Sequence, residues 1–128
     1  MTTALHSGVL ISVSSHYESR FSNPDANLFM FTYRIEITNR NTFPIQLKRR
    51  HWFIVDSTTE RREVEGEGVV GQQPVLYPGE SYHYRSSCDF TSDTGQMKGF
   101  YQMENLESGE HFDAEIPAFM LMAPHRLN

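Results

Sequence analysis

Apolar residues recur at every second position along most of the chain, and this alternation constrains the fold more than any other feature. The clearest run covers residues 29–37, where aromatic and aliphatic side chains alternate with mostly polar ones. A period of two is typical of a β-strand with one buried face. Similar runs cover residues 10–17, 82–90, 97–103 and 112–120. The last run predicts that Ala114, Ile116, Ala118 and Met120 face inward, and the whole chain is predicted to be all-β.

Turn-forming residues such as Asn23-Pro24-Asp25, Asn39-Arg40-Asn41 and Pro78-Gly79 separate the runs. They recur about every 8 to 14 residues, as expected for a sandwich. Seven or eight short strands predict an antiparallel β-sandwich of immunoglobulin-like or fibronectin type III-like shape. A small barrel is the alternative, because alternation does not show whether a sheet closes. We expect one domain over residues 1–128, with its core at about residues 10–124.

The segment from Ile45 to Asp56 is strand-like, but its phase changes along its length. Ile45 and Leu47 share one parity, whereas Trp52 and Ile54 share the other. Either both faces are covered near Trp52, or a β-bulge lies around residues 49–51. A short partner strand, residues 61–65, is expected to follow a turn at Ser57-Thr58-Thr59.

Charge and composition exclude several classes of protein. Sixteen acidic and eleven basic residues give a net charge of −5, which argues against nucleic-acid binding because phosphates require a basic surface. No run approaches the roughly 18 to 20 apolar residues that cross a bilayer, so we expect no membrane insertion, no signal peptide and a cytoplasmic location. The single cysteine, Cys88, excludes an internal disulfide, and its inward parity predicts a buried thiol.

A glycine pattern, Gly66-Glu67-Gly68-Val69-Val70-Gly71, matches a dinucleotide-binding motif. That motif needs a helix after it, and Pro74 and Pro78 oppose one. Two interpretations remain. Gly66, Gly68 and Gly71 either form a nest of N–H groups for a nucleotide, polyphosphate or pyrophosphate, or they serve a long inter-strand loop that requires positive φ. The loop is favoured, because acidic residues surround the motif.

Five basic residues fall close together in the sequence, and they suggest a partner-binding surface beside Trp52. If the two segments pair as a hairpin, their arginines could bind a phosphate or an acidic partner. The alternative is a solvated face on which the arginines pair with neighbouring acids. The five residues are Lys48, Arg49, Arg50, Arg61 and Arg62.

No spacing in the sequence predicts catalysis, a metal or a cofactor. The six histidines show no paired spacing, so direct sensing of a metal would need ligands from separate strands. No Ser, Cys or carboxylate is singled out as part of a catalytic set. We therefore expect a non-enzymatic protein without a cofactor.

Several motifs together resemble the ApaG family, and the resemblance runs from about Ile11 to Pro124. Its most specific part is the block Gly68-Val69-Val70-Gly71-Gln72-Gln73-Pro74, followed by Pro78-Gly79-Glu80. Further matches are Trp52-x-Ile54-x-Asp56, Gly95-x-Met97-x-Gly99-x-Tyr101-x-Met103 and Ile116-Pro117-x-Phe119-x-Leu121.

The resemblance implies a fibronectin type III-like or immunoglobulin-like sandwich in a small bacterial cytoplasmic protein. It also implies a genetic association with cobalt resistance and magnesium efflux, which would be indirect in a chain without a membrane span. Similar domains in eukaryotic F-box proteins and in a polymerase-delta-interacting protein resemble protein-interaction modules. The family offers no agreed catalytic residues. We therefore expect a module that binds a protein partner, and self-association is left open.

Overall fold

The computed structural model describes residues 1–57 and 61–124, and this part of the chain forms two antiparallel sheets. No helix in it is long and apolar enough to cross a membrane. Two short 3-10 turns, Ser19–Phe21 and Pro24–Ala26, follow the second strand. The strands are β1 Thr2–His6, β2 Val9–Tyr17, β3 Phe29–Asn39, β4 Ile45–Asp56, β5 Arg61–Glu67, β6 Val75–Leu76, β7 Ser81–Phe90, β8 Thr94–Asn105 and β9 His111–Met122.

The predicted β-sandwich is confirmed, and its two sheets are open rather than closed into a barrel. One sheet has the strand order β1-β2-β3-β7. The other has the order β5-β4-β8-β9, with β6 pairing the start of β4 beside β5. The more specific likeness to immunoglobulin or fibronectin type III domains stays a prediction.

The core lies between the sheets, where the alternating apolar residues meet. Every odd-numbered residue of β3 from Phe29 to Asn39 is buried, and the even-numbered ones are not, as the period of two predicts. Aromatic rings join the two layers. Tyr33 of β3 packs edge-on against Trp52 of β4 at a ring-centre distance of 5.5 Å.

The phase change in β4 comes from a β-bulge, which was one of the two predicted explanations. Leu47 lies opposite Met103 and Arg49 lies opposite Gln102, so Lys48 is an extra residue. Beyond the bulge the even-numbered residues Trp52 and Ile54 are buried. One inserted residue therefore reverses which side chains face the core.

A second bulge overturns the prediction that Ala118 and Met120 face inward. Met97 pairs with Phe119 but Gly99 pairs with Ile116, so β9 carries an extra residue next to Pro117. After it, Phe119 is buried, whereas the Met120 side chain is 56% exposed. Proline has no N–H for the ladder, and it suits a bulge on an edge strand.

The sequence also missed two short strands. β1 precedes the predicted start of the core, and β6 has only two residues, too few for a period to show. β5 covers the predicted partner strand and extends it to Glu67. In the turn predicted at Ser57-Thr58-Thr59, residues 58 and 59 lie outside the described residues.

Asn39, at the end of β3, is a fully buried polar residue whose hydrogen-bonding groups are all used. Its amide nitrogen donates to the carbonyl oxygens of Phe43 and Leu76, both at 2.9 Å. Its side-chain oxygen accepts the N–H of Asn41 at 2.9 Å. These bonds fix the β3–β4 connection and tie it to β6.

We expect Asn39→Asp to lower the free energy of unfolding by about 2–4 kcal/mol, because a carboxyl oxygen would then face two carbonyl oxygens without a donor. Asn105→Asp is the matched control, since Asn105 uses only its oxygen, which accepts the N–H groups of Glu107 and Ser108. Chemical denaturation measures both variants. Equal losses in the two would show that the amide nitrogen of Asn39 contributes nothing.

Candidate functional site: the open edge between β5 and β7

The sandwich is closed on one side and open on the other. On the closed side, β1 and β2 both contact β9. There the N–H of Glu115 donates to Nδ1 of His6 at 3.1 Å. On the opposite side, the edge strands β5 and β7 do not pair with each other. Arg62 of β5 reaches across this opening and donates to the backbone carbonyl of Asp89 on β7.

A cleft of about 600 Å³ enters the sandwich through this opening. Its volume lies within the range of ligand-binding pockets, and its lining combines apolar and aromatic surface with a few polar groups, as such pockets do. Trp52, Ile54 and Met97 form apolar wall between the sheets. The polar groups include Arg50 and Arg62 from the second sheet, and Ser86 and Ser87 from β7.

Arg50 is the half-buried cation of the cleft, and the glycine loop holds it in place. Its Nη1 donates to the carbonyl oxygens of Glu67 and Gly68, both at 3.0 Å. Gly66 pairs with Arg50 across β4 and β5, and a Cβ there would lie 3.1 Å from both terminal nitrogens. The absence of a side chain at Gly66 therefore lets the guanidinium lie flat against the strand.

Three buried tyrosines lie close enough to Arg50 for its charge to act on them. Tyr84 of β7 and Tyr101 of β8 hydrogen-bond through their hydroxyl groups across the two sheets. Tyr33 lies opposite Ser86 in the pairing of β3 with β7. Burial raises the pKa of all three phenols, and the nearby charge of Arg50 opposes that rise in each case. The phenols therefore stay protonated and act as hydrogen-bond donors or acceptors.

The raised tyrosine pKa values predict a loss of stability in alkali. Unfolded tyrosine ionises near about pH 10, so the unfolded state releases protons first and stability falls as pH rises above that value. In Tyr84→Phe/Tyr101→Phe, the fall should be shallower by roughly 2–3 kcal/mol per pH unit, since each phenol adds at most about 1.4 kcal/mol per unit. Denaturation at a series of alkaline pH values measures the slope.

Tyr77→Phe, which removes the hydroxyl of an exposed side chain, is the control for that slope. An unchanged slope in the double variant would mean that the two phenols ionise as freely in the fold as in the unfolded chain.

The glycine loop is followed by Gln72, Gln73, Pro74 and the short strand β6, with no helix. Several of its N–H groups already have partners. The N–H of Gly68 donates to the carbonyl of Lys48 at 2.9 Å, and Val69 and Gln72 donate to each other's carbonyls at 2.8 and 2.9 Å. Gly68 has φ +64°, and a Cβ there would meet the Gln72 carbonyl at 2.2 Å. The geometry therefore assigns the glycines local structural roles, and phosphate binding by the loop stays a prediction.

Val70 forms a strained turn at the mouth of the cleft. Val70 and Gly71 are the central residues of a two-residue turn, and both have positive φ, +47° and +76°. This is the type I′ geometry, which favours Asn-Gly and which a β-branched residue rarely adopts. The Val70 side chain is 63% exposed beside the cleft. The turn thus presents an apolar side chain to solvent at a conformational cost.

We expect Val70→Asn to raise the free energy of unfolding by about 1 kcal/mol, because asparagine tolerates the left-handed region. Val75→Asn is the control, since Val75 is a half-exposed valine in a strand, where asparagine is disfavoured. Thermal and chemical denaturation compare the two. A Val70→Asn protein no more stable than Val75→Asn would show that the turn carries no strain.

The five basic residues predicted as one surface are divided between two faces of the second sheet. Arg50 and Arg62 lie at positions of inward-facing parity, opposite Gly66 and Ile54, and they line the cleft. Arg49 and Arg61 have the opposite parity and lie on the outer face. Trp52 is only 3% exposed, so its indole belongs to the core and the wall of the cleft. Lys48 occupies the bulge and lies 3.8 Å from Glu104.

Among residues 1–57 and 61–124, the histidines and the cysteine lie outside any cluster of metal-ligating side chains. His51 on the outer face has Glu63 near Nε2 and Glu65 near Nδ1, at 3.1 and 3.0 Å, so the carboxylates lie on opposite ring edges. In residues 1–57 and 61–124, no three His, Cys, Asp or Glu side chains gather as metal ligands would. Cys88 is buried, as predicted, and burial raises the pKa of its thiol while the charge of Arg62 opposes the rise.

The backbone of β7 presents hydrogen-bonding groups to the opening that no other strand of residues 1–57 and 61–124 pairs with. The carbonyl of Glu80 accepts the N–H of Asn39, so even-numbered residues of this segment bond to β3. Residues of one parity point both backbone groups to the same side in an antiparallel pair. The odd-numbered residues, His83, Arg85, Ser87 and Asp89, therefore face the opening, and Arg62 already bonds the carbonyl of Asp89.

Sequence and structural comparisons identify the family. The sequence profile of the ApaG domain matches residues 19–105. The chain belongs to the ApaG family. It is 44% identical over 118 residues to Protein ApaG of Methylorubrum extorquens, covering 92% of this chain and 90% of that protein. It is 49% identical over 107 residues to Protein ApaG of Dechloromonas aromatica, covering 84% of each.

A solved structure supports the same conclusion. The crystal structure of a putative ApaA protein from Bordetella pertussis aligns with a TM-score of 0.87 at 39% identity, covering 91% of this chain and 94% of that one. The family resemblance predicted from the sequence motifs is therefore confirmed.

Sequence reasoning missed the tyrosines and the side of the sheet on which Arg50 lies. Tyr84 and Tyr101 both have inward parity, which was visible in the sequence. Their meeting depends on which strands stack across the core, and no local pattern reveals that. Arg50 was recognised as a cation, but its direction depends on the bulge at Lys48.

Proposed function

We propose that this protein is a non-enzymatic recognition module that binds an extended segment of a partner protein along the open edge of β7. The observation that carries the proposal is the row of backbone groups that β7 turns towards the cleft. An extended peptide can add to such an edge through main-chain hydrogen bonds, with pockets beside it selecting alternate side chains. The cleft between β7 and β5 supplies such a pocket.

The other sheet edges are less suited to this role. β9 carries Pro117 and a bulge, and β1 contacts β9. Along β5 the exposed side chains are almost all charged, from Arg61 to Glu67, which discourages pairing. β7 has ten residues without proline and without a register shift in its pairing with β3. It is the edge on which a further strand fits best.

Binding rather than catalysis also agrees with the chemistry of the cleft. Burial favours the protonated thiol of Cys88 and the protonated phenols of the tyrosines, so these groups are poor nucleophiles and bases at neutral pH. Under this proposal the protein acts in the cytoplasm. The association with cobalt resistance and magnesium efflux that the family resemblance implies would arise through the partner.

Selection of peptides from a random displayed library, followed by amide shift mapping with the strongest synthetic peptide, tests the proposal. The largest shifts should fall on the odd-numbered residues of β7 and on β5. Shifts confined to other strands, or a selection that yields no specific binder, would contradict it.

A proline substitution tests the edge itself. We expect Ser87→Pro to weaken binding of the selected peptide by at least about tenfold, because it removes an edge N–H and blocks pairing. Asp113→Pro on β9, the edge strand at the closed side of the sandwich, is the matched control and should leave affinity unchanged. Calorimetric titration gives both affinities, and thermal unfolding confirms that both variants fold. Equal affinities for the two variants would place the binding elsewhere.

A further inference from the structure

The guanidinium of Arg50 has binding capacity that the fold does not use. Its Nη1 is committed to two carbonyl groups of the glycine loop. Its other nitrogens bond no residue within 1–57 or 61–124, and none of the buried polar side-chain atoms there lacks a partner. Those nitrogens are therefore not buried, and Arg50 is one of the residues that line the cleft. No carboxylate of the described chain forms an ion pair with Arg50, in contrast to Arg62, which lies 3.5 Å from Asp89.

A half-buried arginine without a carboxylate partner is unusual in a protein of net charge −5, where acidic side chains outnumber basic ones. A half-buried cation usually has an anionic partner, because desolvation of an unpaired charge is unfavourable. Here the glycine loop fixes the guanidinium in position, and the apolar wall formed by Trp52, Val69 and Ile54 lies beside it. An anion that entered the cleft would meet an already oriented donor in surroundings of reduced polarity.

We infer that Arg50 receives a carboxylate from the bound segment, so the segment that docks along β7 is acidic. This inference rests on the proposed function, and it names the chemistry of the partner. A carboxylate matches the site in charge and shape, since one free edge of a guanidinium offers two N–H groups to two oxygens. A phosphate would bring up to two negative charges to a guanidinium with only one free edge, and Arg62 of the same cleft already lies beside Asp89.

The neighbouring groups favour the same ligand. Ser86 and Ser87 line the cleft on the β7 side and can donate further hydrogen bonds. Val70 stands exposed at the mouth, where it can contact an apolar residue beside the acidic one. The expected segment is therefore extended and acidic, with an apolar residue close to the carboxylate that reaches Arg50.

The experiment is a parallel selection from one random displayed peptide library against the wild-type protein, Arg50→Gln and Arg49→Gln. Arg49→Gln is the matched control, because it removes the same charge from the adjacent residue on the exposed outer face. Wild type and Arg49→Gln should enrich peptides with Asp or Glu at one fixed position. Arg50→Gln should lose that enrichment.

A second measurement does not depend on the folding of any variant. In the strongest peptide, Glu→Gln or Asp→Asn at the enriched position should weaken binding to wild-type protein by roughly 10- to 100-fold. Resonances of the Arg50 side chain should shift with the acidic peptide and not with its amide counterpart. Inorganic pyrophosphate, added alone, should not reproduce that shift.

The outcomes separate the two claims. Peptides that map to β7 without acidic enrichment, or that bind Arg50→Gln as tightly as wild type, would overturn the inference that Arg50 receives a carboxylate. The proposal that a segment docks along β7 would still hold. A shift of Arg50 with pyrophosphate, but not with any acidic peptide, would replace the carboxylate by a phosphate ligand. Peptides that fail to map to β7 at all would overturn both.

Discussion

The extra residue at Lys48 is the constraint on which the site depends. Without it, the parity set by Ile45 and Leu47 would turn Arg49, His51 and Phe53 into the core and Arg50 and Trp52 outward. With it, Trp52 fills the space between the sheets and Arg50 enters the open side of the sandwich. A single backbone irregularity thus decides whether a cation lies on the surface or inside a cleft.

The surroundings of Arg50 follow from the same strand pairing. Because Arg50 lies opposite Gly66, the guanidinium rests on bare backbone, and Gly68 accepts a hydrogen bond from it. The glycine motif is therefore best understood as a support for an arginine. The strained turn at Val70 and Gly71 is part of the same loop, and backbone strain of this kind is often found at functional sites.

Much of the fold could be predicted because the pattern in each strand is local. In β3 the alternation from Phe29 to Ile37 alone defines the buried face, and the uneven parity around Trp52 offered the first bulge as one of two explanations. The second bulge left no sign, because Ala118 and Met120 continue an apolar alternation that the backbone does not follow. The cleft was beyond prediction for a different reason. It depends on which edge strands remain unpaired, and that is a property of the whole sandwich.

The proposed docking requires that the edge of β7 is free and able to accept another strand. Amide hydrogen exchange measured residue by residue along β7 tests it most directly. We expect an alternation in the free protein. The N–H groups of His83, Arg85 and Ser87 should exchange quickly, and those of Tyr82, Tyr84 and Ser86 should be protected by β3. Uniform protection along the strand would contradict it, because the edge would then already be occupied.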